Sequence, residues 1–492
     1  MGAAGGGPRG ADDPHRPRLR HVLPRQARHS ALAGTGGRSG TEDLPRRSAG
    51  RGIRPAGHCR GVLVGTSGRS HDRSCRVKPR LGGEFLKLWV GQGVSQFGTQ
   101  VSMLAIPTLA ILVYQATPFQ VSVIGAAQVV PFALFALPAG TLVDRWPRRL
   151  TLIVCDTGRA LAAGALVLAY LAGYRELWVI YVVAAVMGTF TVVFDIAYLS
   201  LVPQVVGAKG LLGANARLSA TDSVAETAGP AIGGALVAAI GPAKAVFVDS
   251  VSYLISVVVL LFMKTEETAR EKPKLDARTM LAEIREGLRF VVKHPVLARL
   301  AVANSTFDFG VAIFQSVYLI FLYKTLHFSP WQVGLLAAVT GVSNVLGAMT
   351  ISRVVGRFGL GPTLVHSILA GGVAYLFLPL SQMGAAIAVI VVVNVIAGFT
   401  NAWYDINQYT LRQTVTPDHL LGRVNATMRM IFSGPRPLGF LLGGGLAVWT
   451  SVPTTIFLGA LVSTVSALFV FFGPIRAVRE AGEDETQEAV TT

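Results

Sequence analysis

From Leu86 onward, apolar runs alternate with short polar breaks. Each run is about 20 residues long, the length a helix needs to cross ~30 Å of hydrocarbon at 1.5 Å per residue. Twelve such runs predict twelve transmembrane helices, over residues 86–113, 119–141, 150–172, 177–202, 214–239, 244–263, 298–323, 331–354, 361–380, 384–408, 424–447 and 452–472. All six tryptophans (Trp89, Trp146, Trp178, Trp331, Trp403, Trp449) fall at or near the ends of these runs, where an amphipathic ring prefers the membrane interface.

The breaks are asymmetric in charge. Arg145, Arg148 and Arg149 follow the second run, Arg353 and Arg357 the eighth, Arg412 and Arg423 the tenth, whereas the alternate loops hold only Arg175, Lys244 and Lys324. By the positive-inside rule both termini face the cytoplasm, which places the chain in the cell (cytoplasmic) membrane. One internal break is long, residues 264–295. Within it Leu281, Ile284, Leu288, Val291 and Val292 recur at helical spacing, with Arg278, Arg285, Arg289 and Lys293 on the other face. This predicts a solvated linker helix lying along the cytoplasmic surface.

The runs fall into two similar sets. Phe194 to Leu236 recurs without a gap as Tyr404 to Leu446 at a spacing of 210, matching Asp195 with Asp405, Leu211 with Leu421, Asn215 with Asn425 and Gly233-Gly234 with Gly443-Gly444. At a spacing of 212, Phe97-Gly98, Pro118 and Gln120-Val121 match Phe309-Gly310, Pro330 and Gln332-Val333. So long a period marks a duplicated half-protein, since solenoid repeats are far shorter. The expected organisation is a basic tail at 1–82, a six-helix half at 83–263, the linker at 264–295, a second six-helix half at 296–473 and a cytoplasmic tail at 474–492. The fold class is an all-α integral membrane protein.

Composition agrees: 51% of residues are hydrophobic, 14% are charged and the mean hydropathy is +0.52. Of 44 Lys and Arg and 27 Asp and Glu, residues 1–82 hold 17 and 5, so the net charge of +17 belongs mostly to the tail. That tail is rich in Arg, Gly, Pro and Ser and lacks both apolar periodicity and the apolar core of a secretory signal. It reads as disordered, and as sequence lying upstream of a true start at Val77. A chain beginning at Val77 is expected to insert and transport like the longer one; loss of insertion or activity on truncation refutes this. His58, Cys59, His71 and Cys75 match no common zinc spacing, and the three cysteines imply no disulfide framework. Neither metal nor cofactor is expected.

The loop after the second run reads Gly140-Thr-Leu-Val-Asp144-Arg145-Trp-Pro-Arg148-Arg149. It resembles the signature G-x-L-x-D-R-x-G-R-R/K of the major facilitator superfamily, with Pro147 in place of the second glycine. The end of the fifth run, Gly229-Pro230-Ala-Ile-Gly233-Gly234, is similar to the GPxxGG motif of proton-coupled exporters in that superfamily. Phrases such as FLKLWVGQGVSQFG and LLGRVNATMRM resemble the branch that includes macrolide and enterobactin efflux proteins. The resemblance covers Phe85 to about Phe472. It implies two pseudo-symmetric six-helix halves, transport driven by the proton gradient, and a cytoplasmic gate latched by Asp144, Arg145 and Arg149. Asp144→Asn is then expected to insert and fold normally but transport less; wild-type flux reduces the loop to a plain positive-inside feature. In the helix 5 motif, small side chains let two helices approach backbone to backbone and Pro230 permits a bend.

A charge at mid-bilayer costs about 2.5–3.5 kcal/mol on insertion scales and persists only with a partner or a watery path. Asp222 and Glu226 in the fifth run, Asp308 in the seventh and Arg436 in the eleventh lie nearest the midplane. Glu226, then Asp308, then Asp222 are the proton-coupling candidates, and Arg436 is a candidate counter-charge. Buried ion pairs fastening helices together are the competing interpretation. Asp195 and Asp405 are expected to make gate or helix-end contacts, Asp156 and Arg159 to brace the latch, and Asp249 to be hydrated. Amides at helical spacing (Gln92, Gln96; Asn304, Gln315; Asn394, Asn401) must face a cavity, because lipid cannot satisfy them.

Among a transporter, a membrane enzyme, a channel and a receptor or scaffold, the duplicated halves favour a transporter. Neither HExxH nor a Ser/His/Asp grouping marks an enzyme, and no GxxxxGK[ST] loop marks ATP-driven transport. The expected activity is proton-coupled efflux of a drug-like or other amphipathic small molecule. The alternative is movement of a small metabolite, siderophore or lipid. The expected partners are that molecule and the bilayer, with no nucleic acid, and the expected state is a monomer.

Overall fold

The computed structural model describes residues 82–143, 146–264, 277–473 and 475. Those residues are almost wholly helical. The first half comprises α1 (Gly83–Val113), α2 (Pro118–Val143), α3 (Arg148–Leu171), α4 (Leu177–Gly207), α5 (Gly210–Ile240) and α6 (Pro242–Leu261). After the linker helix α7 (Ala277–Lys293) come α8 (Pro295–Thr325), α9 (Pro330–Phe358), α10 (Leu360–Met383), α11 (Ala386–Thr414), α12 (Leu421–Ser433), α13 (Arg436–Trp449) and α14 (Val452–Phe471). The basic tail at 1–81 lies outside the described residues.

The duplication holds down to single backbone bonds. α1 and α8 both end in a π-helical turn, Leu109–Val113 and Phe321–Thr325. Each is followed by a left-handed residue, Gln115 (φ 52°) or His327 (φ 58°). The next helix then starts the same way in both halves. Thr117 exchanges bonds with Gln120, and Ser329 with Gln332, each pair a capping box ahead of a proline at the first helical position. Between α4 and α5 the chain reverses at Gly207, whose φ of 64° and ψ of 171° suit glycine best.

The halves differ where α5 is matched by α12 and α13. The sequence predicts one helix over 424–447; the structure has two short ones with a break at Gly434-Pro435. The backbone there stays in the right-handed region (φ −73°, ψ −18° at Pro435), so the break is one of hydrogen bonding. Pro435 and Pro437 remove two N–H donors within three residues. In α5 the single Pro230 removes one, and the helix runs on. Eleven unbroken helices among the described residues are therefore long and apolar enough to span a membrane.

The expected linker helix forms as α7, but it is bound to the second half rather than freely solvated. Val291 is fully buried with Val296, Leu297, Val424 and Met428. Arg423 at the start of α12 donates to Glu286 (2.6 Å) and Glu283 (3.1 Å) of α7. These exposed ion pairs contribute at most about 1 kcal/mol each, so burial of the apolar stripe holds the helix.

Three cores fix the shape. One, around Phe85, Leu152, Phe194 and Leu201, belongs to the first half. A second, around Val291, Leu364 and Val424, belongs to α7 and the second half. The third, containing Ile106, Leu109, Val317, Phe321, Tyr323 and Leu336, joins both halves at the face opposite α7. Across that joint α5 crosses α9 and α2 crosses α13. The halves are thus fused at one face and joined only sparsely toward the other, where Arg429 of α12 lies 4.5 Å from the Phe132 ring of α2.

Candidate functional site

The gap between the two separate cores is a cavity of about 1070 Å³. Its walls come from α1, α4 and α5 on one side and α8, α10, α11 and α12 on the other. It reaches the α7 face, where Arg412, Gln413, Asn425 and Arg429 line it. The opposite end is shut. There Thr108 and Tyr323 share a hydrogen bond across the halves (3.0 Å), and Lys324 donates to the Ala116 carbonyl (3.4 Å).

Glycines create that closure. A Cβ on Gly234 would lie 2.5 Å from the Pro330 carbonyl oxygen and 2.9 Å from Gly334 Cα, so α5 and α9 touch backbone to backbone. At the repeat-related contact a Cβ on Gly444 would lie 2.0 Å from Ser122 Oγ. Gly229 and Gly233 hold α5 against Gln100 and Val101 of α1, as Gly439 and Gly443 hold α13 against Ala312 and Ile313 of α8. The glycines of the helix 5 motif are therefore contact surfaces. Pro230 sits among them, and its carbonyl oxygen would lie 2.5 Å from a Cβ on Gly334.

Of the three midplane acids all line the cavity. Asp222 accepts from Gln96 Nε2 at 3.2 Å. Glu226, one turn on, is exposed to the cavity and makes no ion pair among the described residues. Asp308 faces them from α8. Arg436, the repeat partner of Glu226, is off the cavity wall. Its charge interacts with that of Asp308 rather than with Glu226, and its Nε is buried without a hydrogen-bond partner.

Four of the six predicted amides, Gln96, Asn304, Gln315 and Asn401, are on the wall, with Asn304 donating to Gln408 at 3.1 Å. Gln92 and Asn394 are not. Gln92 is packed into the contacts of α1 with its neighbours, and Asn394 is spent on the Leu336 carbonyl of α9 at 2.7 Å.

Of three expectations, two are corrected and one lies partly outside the described residues. Asp195 and Asp405 line the cavity instead of making only gate contacts, because the cavity runs toward the α7 face and so includes that third of α4 and α11. Asp156 and Arg159 are expected to brace the latch, whose Asp144 and Arg145 lie outside the described residues; what the structure shows is a pair buried in the helix interior. They lie about two to three turns inside the helix, ion-paired and buried, with the guanidinium 4.3 Å from the Phe194 ring and 4.5 Å from the Tyr253 ring. Asp249 is not hydrated: it is 0% exposed. Gly98 allows this, since a Cβ there would lie 2.4 Å from Asp249 Oδ1.

Of the latch, Asp144 and Arg145 lie outside the described residues, and Gly140 falls in the last turns of α2. Arg149 donates to the carbonyls of Leu260 and Leu261, both at 2.7 Å, capping α6; Arg148 donates to the Ser200 carbonyl at 2.9 Å. Tyr404, Tyr409, Arg412 and Arg429 are also on the wall, and the sequence does not single them out as cavity residues. Arg412 was legible, for it continues the Asn401, Asp405, Gln408 stripe by one turn. In sum the cavity carries Asp195, Asp222, Glu226, Asp308 and Asp405 against Arg412 and Arg429, among aromatic rings of Phe307, Tyr375, Tyr404, Tyr409 and Phe432.

A family model described as the Major Facilitator Superfamily matches residues 88–433 and 300–491. The chain is 28% identical over 361 residues to the multidrug efflux pump Tap of Mycolicibacterium fortuitum, covering 71% of this chain and 86% of that one. It is 26% identical over 351 residues to the enterobactin exporter EntS of Citrobacter koseri, covering 69% and 80%. The crystal structure of the nucleoside transporter NupG superposes with a TM-score of 0.66 at 13% identity, over 79% of this chain and 98% of that one. With its duplicated helical halves around one polar cavity, the chain belongs to the Major Facilitator Superfamily and is a multi-pass membrane transporter rather than an enzyme.

Proposed function

We propose that this transporter is a proton-coupled exporter, acting as a monomer in the cytoplasmic membrane, that moves amphipathic, drug-like cations outward. The charge of the cavity carries this reading: five carboxylates against two guanidiniums leave an acidic space lined with aromatic rings, which suits a lipophilic cation through both Coulomb attraction and cation–π contact. The open end supports the direction. α7, Arg148, Arg149, Arg412 and Arg423 all belong to the face where the cavity opens, and basic loops mark the cytoplasmic side. An exporter loads its substrate in that state. Both termini are then cytoplasmic.

The mechanism follows from the two unequal faces. Rocking the halves about the midplane closes the gap between the separate cores and parts the shared one. Substrate cation and protons compete for the same carboxylates. Loading from the cytoplasm displaces protons, and opening to the exterior lets protons displace the cation. The test is accumulation of ethidium and tetraphenylphosphonium in cells with and without the gene, and with and without a proton uncoupler. Lower accumulation with the gene, lost on uncoupling, is expected. Higher accumulation with the gene would make it an importer, and insensitivity to the uncoupler would remove proton coupling.

A further inference from the structure

The cavity acids leave one group of buried charges unused. Behind the cavity wall of the first half, α3 contributes Asp156 and Arg159 and α6 contributes Asp249. All three are at most 4% exposed. Two carboxylates and one guanidinium sum to one negative charge too many for a buried site, and an uncompensated buried carboxylate is strongly disfavoured.

The hydrogen bonds point the same way. Asp249 Oδ1 accepts from Ser252 Oγ at 3.1 Å, but its Oδ2 is buried and has no partner. Ser102 of α1 lies within hydrogen-bonding reach of Asp249, and its Oγ is buried with no well-aligned partner. A proton on Oδ2, donated to Ser102 Oγ, completes both atoms and balances the charge.

The inner part of a route from the cavity is present, beginning one turn behind the wall. Thr99 follows Gln96 by one turn on α1, and Gln96 lines the cavity. Thr99 Oγ1 and Tyr253 Oη share a hydrogen bond of 3.0 Å, and Tyr253 lies one turn after Asp249 and beside it. Two other carboxylates stand nearby, Asp156 and Asp195; Asp156 Oδ2 is also buried without a partner, but Asp156 is ion-paired to Arg159, whereas Asp249 has no ion pair among the described residues and is the one that needs the proton. α1 presents only Gly98, Thr99 and Ser102 to Asp249; α3 presents Asp156, Arg159 and the thiol of Cys155; α4 presents Asp195 beyond Arg159; α6 itself presents Tyr253.

The second half has nothing equivalent. At the repeat spacings Asp249 becomes Gly459, Tyr253 becomes Ser463, Asp156 becomes Ile368 and Arg159 becomes Gly371. A Cβ on Gly310, the partner of Gly98, would lie 2.6 Å from the Gly459 carbonyl oxygen, so the helices there simply touch.

We propose that Asp249, set against Asp156 and Arg159, is an occluded proton-binding site confined to the first half and loaded from the cavity through Thr99 and Tyr253. At rest Thr99 Oγ1 donates to the Ser95 carbonyl, which leaves Tyr253 Oη as the donor to Thr99; a proton reaching Thr99 Oγ1 reverses that bond, the Thr99 proton passing to Tyr253 Oη as the Tyr253 proton swings to the Asp249 carboxylate. One proton moves and both hydroxyls are restored. The site rests on the proton-coupled reading for its use, but its existence is tested without substrate.

Infrared spectroscopy of the purified full chain at pH 7 reads the carbonyl stretch of a protonated carboxyl. Because the cavity acids carry protons too, the reading is a difference between spectra: one component of the band is expected in the parent and in Glu226→Gln and is lost in the near-isosteric Asp249→Asn. Its absence from the parent, or its persistence unchanged in Asp249→Asn, overturns the proposal. Should Asp249→Asn not accumulate, Tyr253→Phe keeps the ring beside Arg159 and removes only the relay hydroxyl. The band must then remain, and its exchange after transfer to deuterated water must slow by about 100-fold, the lower end of what a positioned proton-transfer group contributes. Unchanged exchange overturns the route. A parent that shows the band but does not transport ethidium refutes the substrate reading and leaves the site standing.

Discussion

Glu226→Gln, at equal membrane abundance, is expected to abolish proton-driven uphill efflux of ethidium while leaving downhill exchange measurable. Glu226 is the cavity acid with the fewest competing partners. Asp222 is engaged by Gln96, and Asp308 by the charge of Arg436 across α8 and α13, whereas Glu226 is exposed to the cavity with no ion pair among the described residues. It is therefore free to hold a proton in one access state and a substrate cation in the other. Glutamine keeps the shape and removes both options. An interaction with a charged group is worth about 1.5–3 kcal/mol, so affinity for the cation should fall roughly 10- to 150-fold. The measurement is flux in proteoliposomes with an imposed proton gradient, alongside proton release on substrate addition. If uphill efflux and substrate-induced proton release both survive in Glu226→Gln and also in Asp308→Asn, the cavity acids are helix fasteners and do not couple transport.

What could be read from sequence divides along a physical line. Features set by local pattern were legible: the apolar runs, the duplication, and the amphipathic stripe that becomes α7. So was the existence of a polar cavity, since the stripe through Asn401, Asp405 and Gln408 has nowhere else to point. Features set by the packing of distant helices were not. Nothing in the run containing Asp249 says that Gly98, about 150 residues earlier, leaves room to bury it. Arg159 looks like a loop brace by position, and only the fold puts Phe194 and Tyr253 over it. The break between α12 and α13 was readable in principle, because Pro435 and Pro437 stand two apart; the single proline of α5 suggested a tolerated bend instead. Glu226 and Arg436 match in the repeat and invite pairing, yet pseudo-symmetry carries them to opposite halves, and Arg436 meets Asp308 on its own side.

Gly234→Val is expected to lower transport at least as much as the loss of a cavity acid, by a different route. The contact of Gly234 is with backbone: its Cβ would meet the Pro330 carbonyl oxygen and the Gly334 Cα, neither of which can rotate away. Overpacking of this kind costs about 1–3 kcal/mol, enough to shift a two-state equilibrium roughly 5- to 150-fold. The cost falls on the state closed at the face opposite α7, so the population moves toward one open there, and the cavity spends less time accessible from the α7 face. Gly444→Ala makes the internal comparison. Its Cβ would meet Ser122 Oγ, which can turn aside, but also Ser122 Cβ at 2.5 Å and the Phe119 Cα at 3.0 Å, which cannot; alanine adds one carbon where valine adds three, so its effect should have the same direction and be smaller. The readout is a cysteine at Thr108, which is 0% exposed in the closed joint, in a chain whose native cysteines are replaced by serine. Labelling by a membrane-impermeant thiol reagent from the side opposite α7 should rise sharply in Gly234→Val and modestly in Gly444→Ala, with transport falling in the same order. If Gly234→Val leaves both labelling and transport at parental levels, the α5–α9 contact does not hold that face shut, and the glycines of the helix 5 motif are ordinary packing positions.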